Sequence, residues 1–120
     1  MHSSGCRVLV IDDDLSIRES LQEMLSGEGY AVDVAENGAD ALFRIRRRGR
    51  PDVVLLDLMM PVMDGWQFLE AVRRDDELNG VVVVVLSATP EAAPREKVFD
   101  VLGKPFTYDR LLSIVERACA

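Results

Sequence analysis

The sequence predicts an α/β domain: a doubly wound parallel sheet of five strands with helices on both faces. Two observations carry this prediction. Apolar runs alternate with segments of helical periodicity from one end of the chain to the other. The runs are near-continuous, above all Val8-Leu9-Val10-Ile11, Val53-Val54-Leu55-Leu56 and residues 81–86, which is how strands read when buried on both faces. Five strand–helix units within 120 residues leave no room for a second domain of ordinary size, and right-handed crossovers must return each segment over the sheet. A chain of this length, 48% hydrophobic, buries roughly two-thirds of its unfolded surface.

Residues 7–11 form the first strand. From Asp14 onward, Ile17, Leu21, Met24 and Leu25 share one helical face until Gly27 or Gly29 stops the helix. Residues 31–35 make a short second strand. After Asn37-Gly38, the positions Ala41, Leu42 and Ile45 repeat at helical spacing as far as Gly49, and Arg50-Pro51 turns the chain. Residues 53–57 are the third strand. Asp64 is placed to cap a helix with Phe68, Leu69 and Val72 inside and Arg73-Arg74 at its end, where cations suit the helix dipole. Residues 81–86 are the fourth strand. A shortened fourth helix is expected within residues 91–97, limited by Pro90 and Pro94. Residues 98–102 are the fifth strand, and Thr107 caps a last helix that buries Leu111, Leu112, Val115 and Cys119. Residues 1–6 read as an N-terminal tail and residues 7–120 as the domain.

The formal net charge of −7 opposes direct binding to nucleic acid or to an anionic membrane, since both need a positive field. Arg44, Arg46, Arg47, Arg48 and Arg50 fall on the solvent side and end of an amphipathic helix, so they read as a solvated face. No apolar stretch approaches a membrane span, and residues 1–7 lack the apolar region of a signal peptide, so the expected location is cytoplasmic. Cys6 and Cys119 lie near opposite ends without motif spacing. Neither a disulfide framework nor a zinc site is indicated, and both read as ordinary thiols.

The chemical signal lies in what ends each strand. The first runs into Asp12-Asp13-Asp14, the third ends on Asp57, the fourth runs into Ser87, and the fifth leads through Gly103 to Lys104-Pro105. In open parallel sheets the sites lie at the carboxyl edge, so acid, hydroxyl and amine should meet there. Asp12, Asp13 and Asp57 offer hard oxygen ligands with no histidine or thiolate beside them, which selects magnesium, or manganese, over zinc or copper. Carboxylates gathered this closely repel unless a cation is present or a pKa rises. Magnesium commonly shares its shell with a phosphate, Lys104 adds a charge for an anion, and Ser87 adds a donor. Together these groups suit formation of an aspartyl phosphate.

These motifs, Val10-Ile11-Asp12-Asp13, Leu55-Leu56-Asp57 through Pro61 to Asp64-Gly65, Leu86-Ser87-Ala88 and Lys104-Pro105-Phe106, occur in the order seen in receiver domains of bacterial response regulators, which the chain resembles over essentially its whole length. The resemblance implies a flavodoxin-like sheet of order 2-1-3-4-5 and a phosphorelay role. It implies Asp57 as phosphoacceptor, Asp12, Asp13, Asp57 and the Met59 carbonyl as magnesium ligands, Ser87 and Lys104 as phosphate contacts, and a cis Lys104-Pro105 bond. The implied partners are a sensor histidine kinase or histidine phosphotransfer protein and an output protein, with a homodimer left open. Such a domain is a phosphoacceptor rather than an enzyme acting on other substrates.

Asp14 reads as a helix cap and Asp64 as structural, with Gly65 supplying small volume near the site; Met59, Met60 and Met63 read as loop packing. A rival reading takes Asp12 and Asp14 as the Asp-x-Asp pair of a haloacid dehalogenase-type phosphatase, but it leaves Asp57 and Lys104-Pro105 unexplained. A pseudo-receiver that binds without being phosphorylated is a third reading, disfavoured because every site residue is present. The chain departs from the family on the output side. The segment between Ser87 and Lys104 is short, and Val101 stands where the family often has an aromatic switch residue.

Overall fold

The computed structural model describes residues 5–96 and 98–120. His2 and most of the expected tail, and Lys97 at the end of the expected fourth helix, lie outside the described residues. The strands are β1 (Arg7–Ile11), β2 (Ala31–Ala35), β3 (Val53–Asp57), β4 (Val82–Ser87) and β5 (Asp100–Gly103). They form one sheet in the order β2-β1-β3-β4-β5, every neighbouring pair parallel. The α-helices among the described residues are α1 (Leu15–Gly27), α2 (Gly38–Arg48), α3 (Gly65–Arg74) and α4 (Tyr108–Cys119).

Local chemistry starts each helix where the sequence indicates. Asp14, Asn37, Asp64 and Thr107 are N-caps whose side chains accept from backbone amides three residues on, each satisfying a donor the helix leaves unpaired. At α3 the cap is reciprocal, since Gln67 returns a bond to the Asp64 amide. Arg46, Arg47 and Arg48 finish α2, and Arg73 and Arg74 finish α3, where they face the negative end of the dipole.

The sheet divides the core in two. On one side Leu9, Ile11, Val54, Leu56, Val83 and Val85 pack with Phe68 and Leu69 of α3 and Ala41 and Ile45 of α2. On the other, Val8, Val10, Val53, Leu55, Val84 and Leu86 pack with Leu21 and Leu25 of α1 and Leu111, Ile114 and Val115 of α4. All five residues of β3 are buried, and its pairing with β1 and β4 sets the position of its last residue, Asp57.

Three expectations are corrected. Among the described residues, the segment after β4 contains a single 3-10 turn, Pro90–Ala92, in place of an α-helix. Pro94 has no amide to extend the turn and its ring disfavours helix in the residue before it. β5 accordingly starts at Asp100 rather than Val98, leaving Phe99 44% exposed, although its amide still donates to the Val83 carbonyl at 2.7 Å. In α4 the buried face is Leu111, Ile114, Val115 and Ala118, with Leu112 and Cys119 only half-buried.

The third correction concerns the cysteines. Cys6 and Cys119 form a disulfide with Cα atoms 6.1 Å apart. Linear spacing gives no sign of it, because the two residues are 113 apart and are neighbours only through topology. β1 begins and α4 ends at the same edge of the sheet. Cys6 is thus buried beside β1 rather than part of a free tail.

Candidate functional site

Parallel register brings the chemistry to the carboxyl edge. Ile11 pairs with Leu56, Asp57 with Leu86 and Ser87 with Gly103, so the residues that follow β1 and β5 flank the end of β3. Asp12 is 1% and Asp57 7% exposed, while Asp13 is exposed. The three carboxylates each offer an oxygen within 4.8 Å of the others. Lys104 Nζ lies 3.1 Å from Asp12 Oδ2 and 3.4 Å from Asp57 Oδ1, and the Lys104–Pro105 peptide is cis. Ser87 ends the neighbouring strand. Its Oγ accepts from the Thr89 amide at 3.0 Å and its carbonyl accepts from the Lys104 amide at 2.7 Å.

Three carboxylates against one ammonium leave two formal negative charges, the charge that one divalent cation offsets. Oxygen donors without imidazole or thiolate fit magnesium or manganese. The titration directions agree with a crowded acidic site. Burial pushes the Asp57 carboxyl above its ordinary value and Asp12 adds to the push, while Lys104 and the Met59 amide pull the other way. Burial works against the Lys104 ammonium, yet Asp12 and Asp57 outweigh it and hold the lysine above its ordinary value.

The loops around the cluster are anchored from several sides. Asp12 Oδ1 accepts from the Asp14 amide at 3.0 Å, and its own amide donates to Ala35 of β2 at 3.1 Å. The Gly65 amide donates to the Leu58 carbonyl at 2.9 Å, closing the loop after Asp57. A Cβ at Gly38 would lie 2.7 Å from Met63 Cγ, and the Gly38 amide donates to the Met63 carbonyl at 3.0 Å, so the start of α2 seats the same loop. Within it Val62 has φ 69°, an unfavourable region for a β-branched residue, and is 81% exposed.

Asp12, Asp13, Asp57 and Lys104 converge. Asp14 does not join them, because its side chain accepts from the Ile17 amide at 3.2 Å as the cap of α1. Val101 is buried within β5, opposite Val85, away from the carboxylates. Met60 is buried and Met63 packs against the core, but Met59 is 74% exposed, so loop packing describes only two of the three methionines. The Met59 amide approaches Asp57 Oδ1 at 3.4 Å. Arg18 was not singled out by sequence. Its guanidinium donates to the Asp12 carbonyl at 2.8 Å, one helical turn beyond the capping Asp14, a spacing that a search for cations facing the acidic run would have found.

A five-stranded parallel sheet of this order with carboxylates and a lysine gathered at its carboxyl edge defines a doubly wound α/β domain with an acidic, oxygen-rich site. The family pattern described as the response regulator receiver domain matches residues 8–116, and the chain belongs to that family. It is a phosphorelay receiver domain. The response regulator MprA of Mycobacterium sp. (strain KMS) is 38% identical over 112 residues, covering 89% of this chain and 47% of that protein. The DNA-binding transcriptional regulator NtrC of Escherichia coli (strain K12) is 37% identical over 114 residues, covering 92% of this chain and 24% of that protein. The chain thus spans about half the length of the first relative and a quarter of the second. Among solved structures, the chemotaxis response regulator CheY4 of Vibrio cholerae superposes with a TM-score of 0.81 at 32% identity, covering 94% of this chain and 98% of that one.

Proposed function

We propose that the domain accepts one phosphoryl group on Asp57 from a sensor histidine kinase or a histidine phosphotransfer protein in the cytoplasm, and passes the signal to an output protein or a second copy of itself. The observation that carries this reading is the placement of the buried Asp57 carboxylate beside both an ammonium and two further carboxylates. In the transfer, an Asp57 carboxylate oxygen forms a bond to phosphorus as the P–N bond to the donor imidazole breaks. The electron pair goes to that nitrogen. Lys104, freed from one carboxylate, binds a phosphoryl oxygen, and the Ser87 hydroxyl donates to another. A magnesium or manganese ion on Asp12, Asp13, Asp57 and the Met59 carbonyl would supply charge to the transferring oxygens. The domain itself is the acceptor, not a catalyst for other substrates. The phosphatase alternative is disfavoured, since Asp14, its general acid, caps α1 and stands outside the Asp12, Asp13 and Asp57 cluster.

The same geometry suggests how the signal leaves the site. Ser87 Oγ holds the Thr89 amide, and Pro90 packs against Gly103, where a Cβ would lie 3.0 Å from Pro90 Cγ. Drawing the hydroxyl toward a phosphoryl group releases Thr89 and loosens residues 88–95. Val101 lacks the bulk and hydroxyl to report this movement as an aromatic switch would, so the change centres on that loop. Beryllofluoride with magnesium, added to the full chain, should change the fluorescence of Trp66, in the first turn of α3, and alter hydrogen exchange mainly in residues 88–95. No response of either kind, or protection confined to β5 and α4, would overturn the proposal.

A further inference from the structure

The Cys6–Cys119 bond joins the residue before β1 to the last residue of α4, far from the acidic edge. We propose that these two residues form a redox-modification site, opened and closed by thiol–disulfide exchange, whose closed state pins the last turn of α4 to the start of β1. The inference rests on the proposed cytoplasmic location in one respect: in that compartment protein disulfides are typically transient and redox-sensing rather than permanent staples.

Access is asymmetric. Cys6 is 8% exposed, whereas Cys119 is half-buried, so Cys119 is the more accessible end for an incoming thiolate. Attack there forms a mixed disulfide and breaks the bond to Cys6, whose sulfur takes the electron pair and a proton. A second thiol then attacks the mixed disulfide, releasing Cys119 as a thiol and leaving the external pair oxidised. Two electrons and two protons pass to the protein. The co-reactant is a small-molecule thiol or a dithiol protein.

What the bond controls follows from how α4 is held elsewhere. Its first turn has the Thr107 cap and a hydrogen bond from the Tyr108 hydroxyl to Glu28. Its middle buries Leu111, Ile114 and Val115. Beyond Val115 the helix offers Ala118 as its only fully buried side chain, together with an Arg117–Asp100 pair at 3.5 Å in which Arg117 is 57% exposed and weakly stabilising. Arg117 also lies over the Phe99 ring at 6.0 Å, and the disulfide adds the covalent anchor of this turn, so opening it loosens the last turn while leaving the first in place.

The test equilibrates the full chain in glutathione buffers of stepped redox ratio, traps free thiols with N-ethylmaleimide and reads the intact mass, with hydrogen exchange of residues 108–120 in the same samples. Both thiols should become reactive together as the buffer turns reducing. Exchange in the last turn should then quicken about tenfold or more, with the first turn unchanged, as expected of local opening. Cys119→Ser should resemble the reduced protein in every buffer, and reduced wild type serves the same purpose if the variant folds poorly. Thiols that react in oxidising buffer, a bond that survives fully reduced glutathione, or equal exchange in the two states would each overturn the proposal. None of these measurements involves a phosphodonor, so their failure leaves the receiver function standing.

Discussion

Gly65→Ala probes the coupling between packing and chemistry at the site. A Cβ on Gly65 would sit 2.6 Å from Leu58 Cα, 2.7 Å from Leu58 Cδ2 and 2.9 Å from the Asp57 carbonyl oxygen. Two of these three atoms belong to the backbone and cannot rotate away. The loop after Asp57 must shift by several tenths of an ångström, a forced fit that costs about 1–3 kcal/mol, offset by at most about 1 kcal/mol from the better helix propensity of alanine. For this chain the unfolding entropy scales to a shift of about 4 °C per kcal/mol, so a net loss of up to about 3 kcal/mol lowers the melting temperature by up to roughly 12 °C. The Asp57 carboxylate is carried on the displaced backbone, and errors of that size in the position of a nucleophile slow transfer by about 10- to 100-fold. Thermal melts and the rate of labelling by acetyl phosphate measure the two effects. Gly27→Ala is the control, because nothing lies within 4 Å of its added Cβ. If Gly65→Ala melts and labels like the wild type, the close seating of α3 against the acceptor strand does not position Asp57.

Asp13→Ala should reduce magnesium affinity about tenfold or more while changing stability by less than about 0.5 kcal/mol, since the residue is exposed and removes a ligand rather than a core contact; metal titration and a melt of the same variant check both halves. Asp57→Asn should raise the melting temperature near neutral pH without metal. The folded pKa of Asp57 lies above its unfolded value, so the native state binds more protons across that interval, stability falls as pH rises through it, and the penalty persists above it. Asparagine removes the penalty, and the gain over wild type should vanish when melts are repeated below the carboxylate range. Val62→Gly should stabilise the domain by about 0.5–1 kcal/mol by relieving the positive φ, after allowance for the entropy of glycine. A lower denaturation midpoint would contradict this.

Much of the fold was legible because its signals are local. β1, β2 and β3 have the expected bounds, and Asp14, Asp64 and Thr107 cap the helices they precede, since apolar runs and capping residues act within a few positions of themselves. That Asp12, Asp13, Asp57 and Lys104 lie together was legible because parallel strands collect their ends at one edge, so a list of strand ends is already a list of neighbours. Features set by distant packing were not legible. Cys6 meets Cys119 only because β1 starts where α4 ends. Met59 is exposed although its neighbours Met60 and Met63 pack inward, whereas Arg18, one helical turn beyond Asp14, was legible from its spacing and was overlooked. The expected fourth helix fails for a different reason: among the described residues the prolines that already limited it leave only the 3-10 turn Pro90–Ala92.

The most direct measurement of the central claim is the site of phosphorylation. Incubating the full chain with magnesium and acetyl phosphate, then trapping the acyl phosphate by borohydride reduction and mapping peptides by mass spectrometry, should locate one modified residue, Asp57, and Asp57→Asn should abolish the label. A label on Asp12, or undiminished single labelling of Asp57→Asn, would contradict the account.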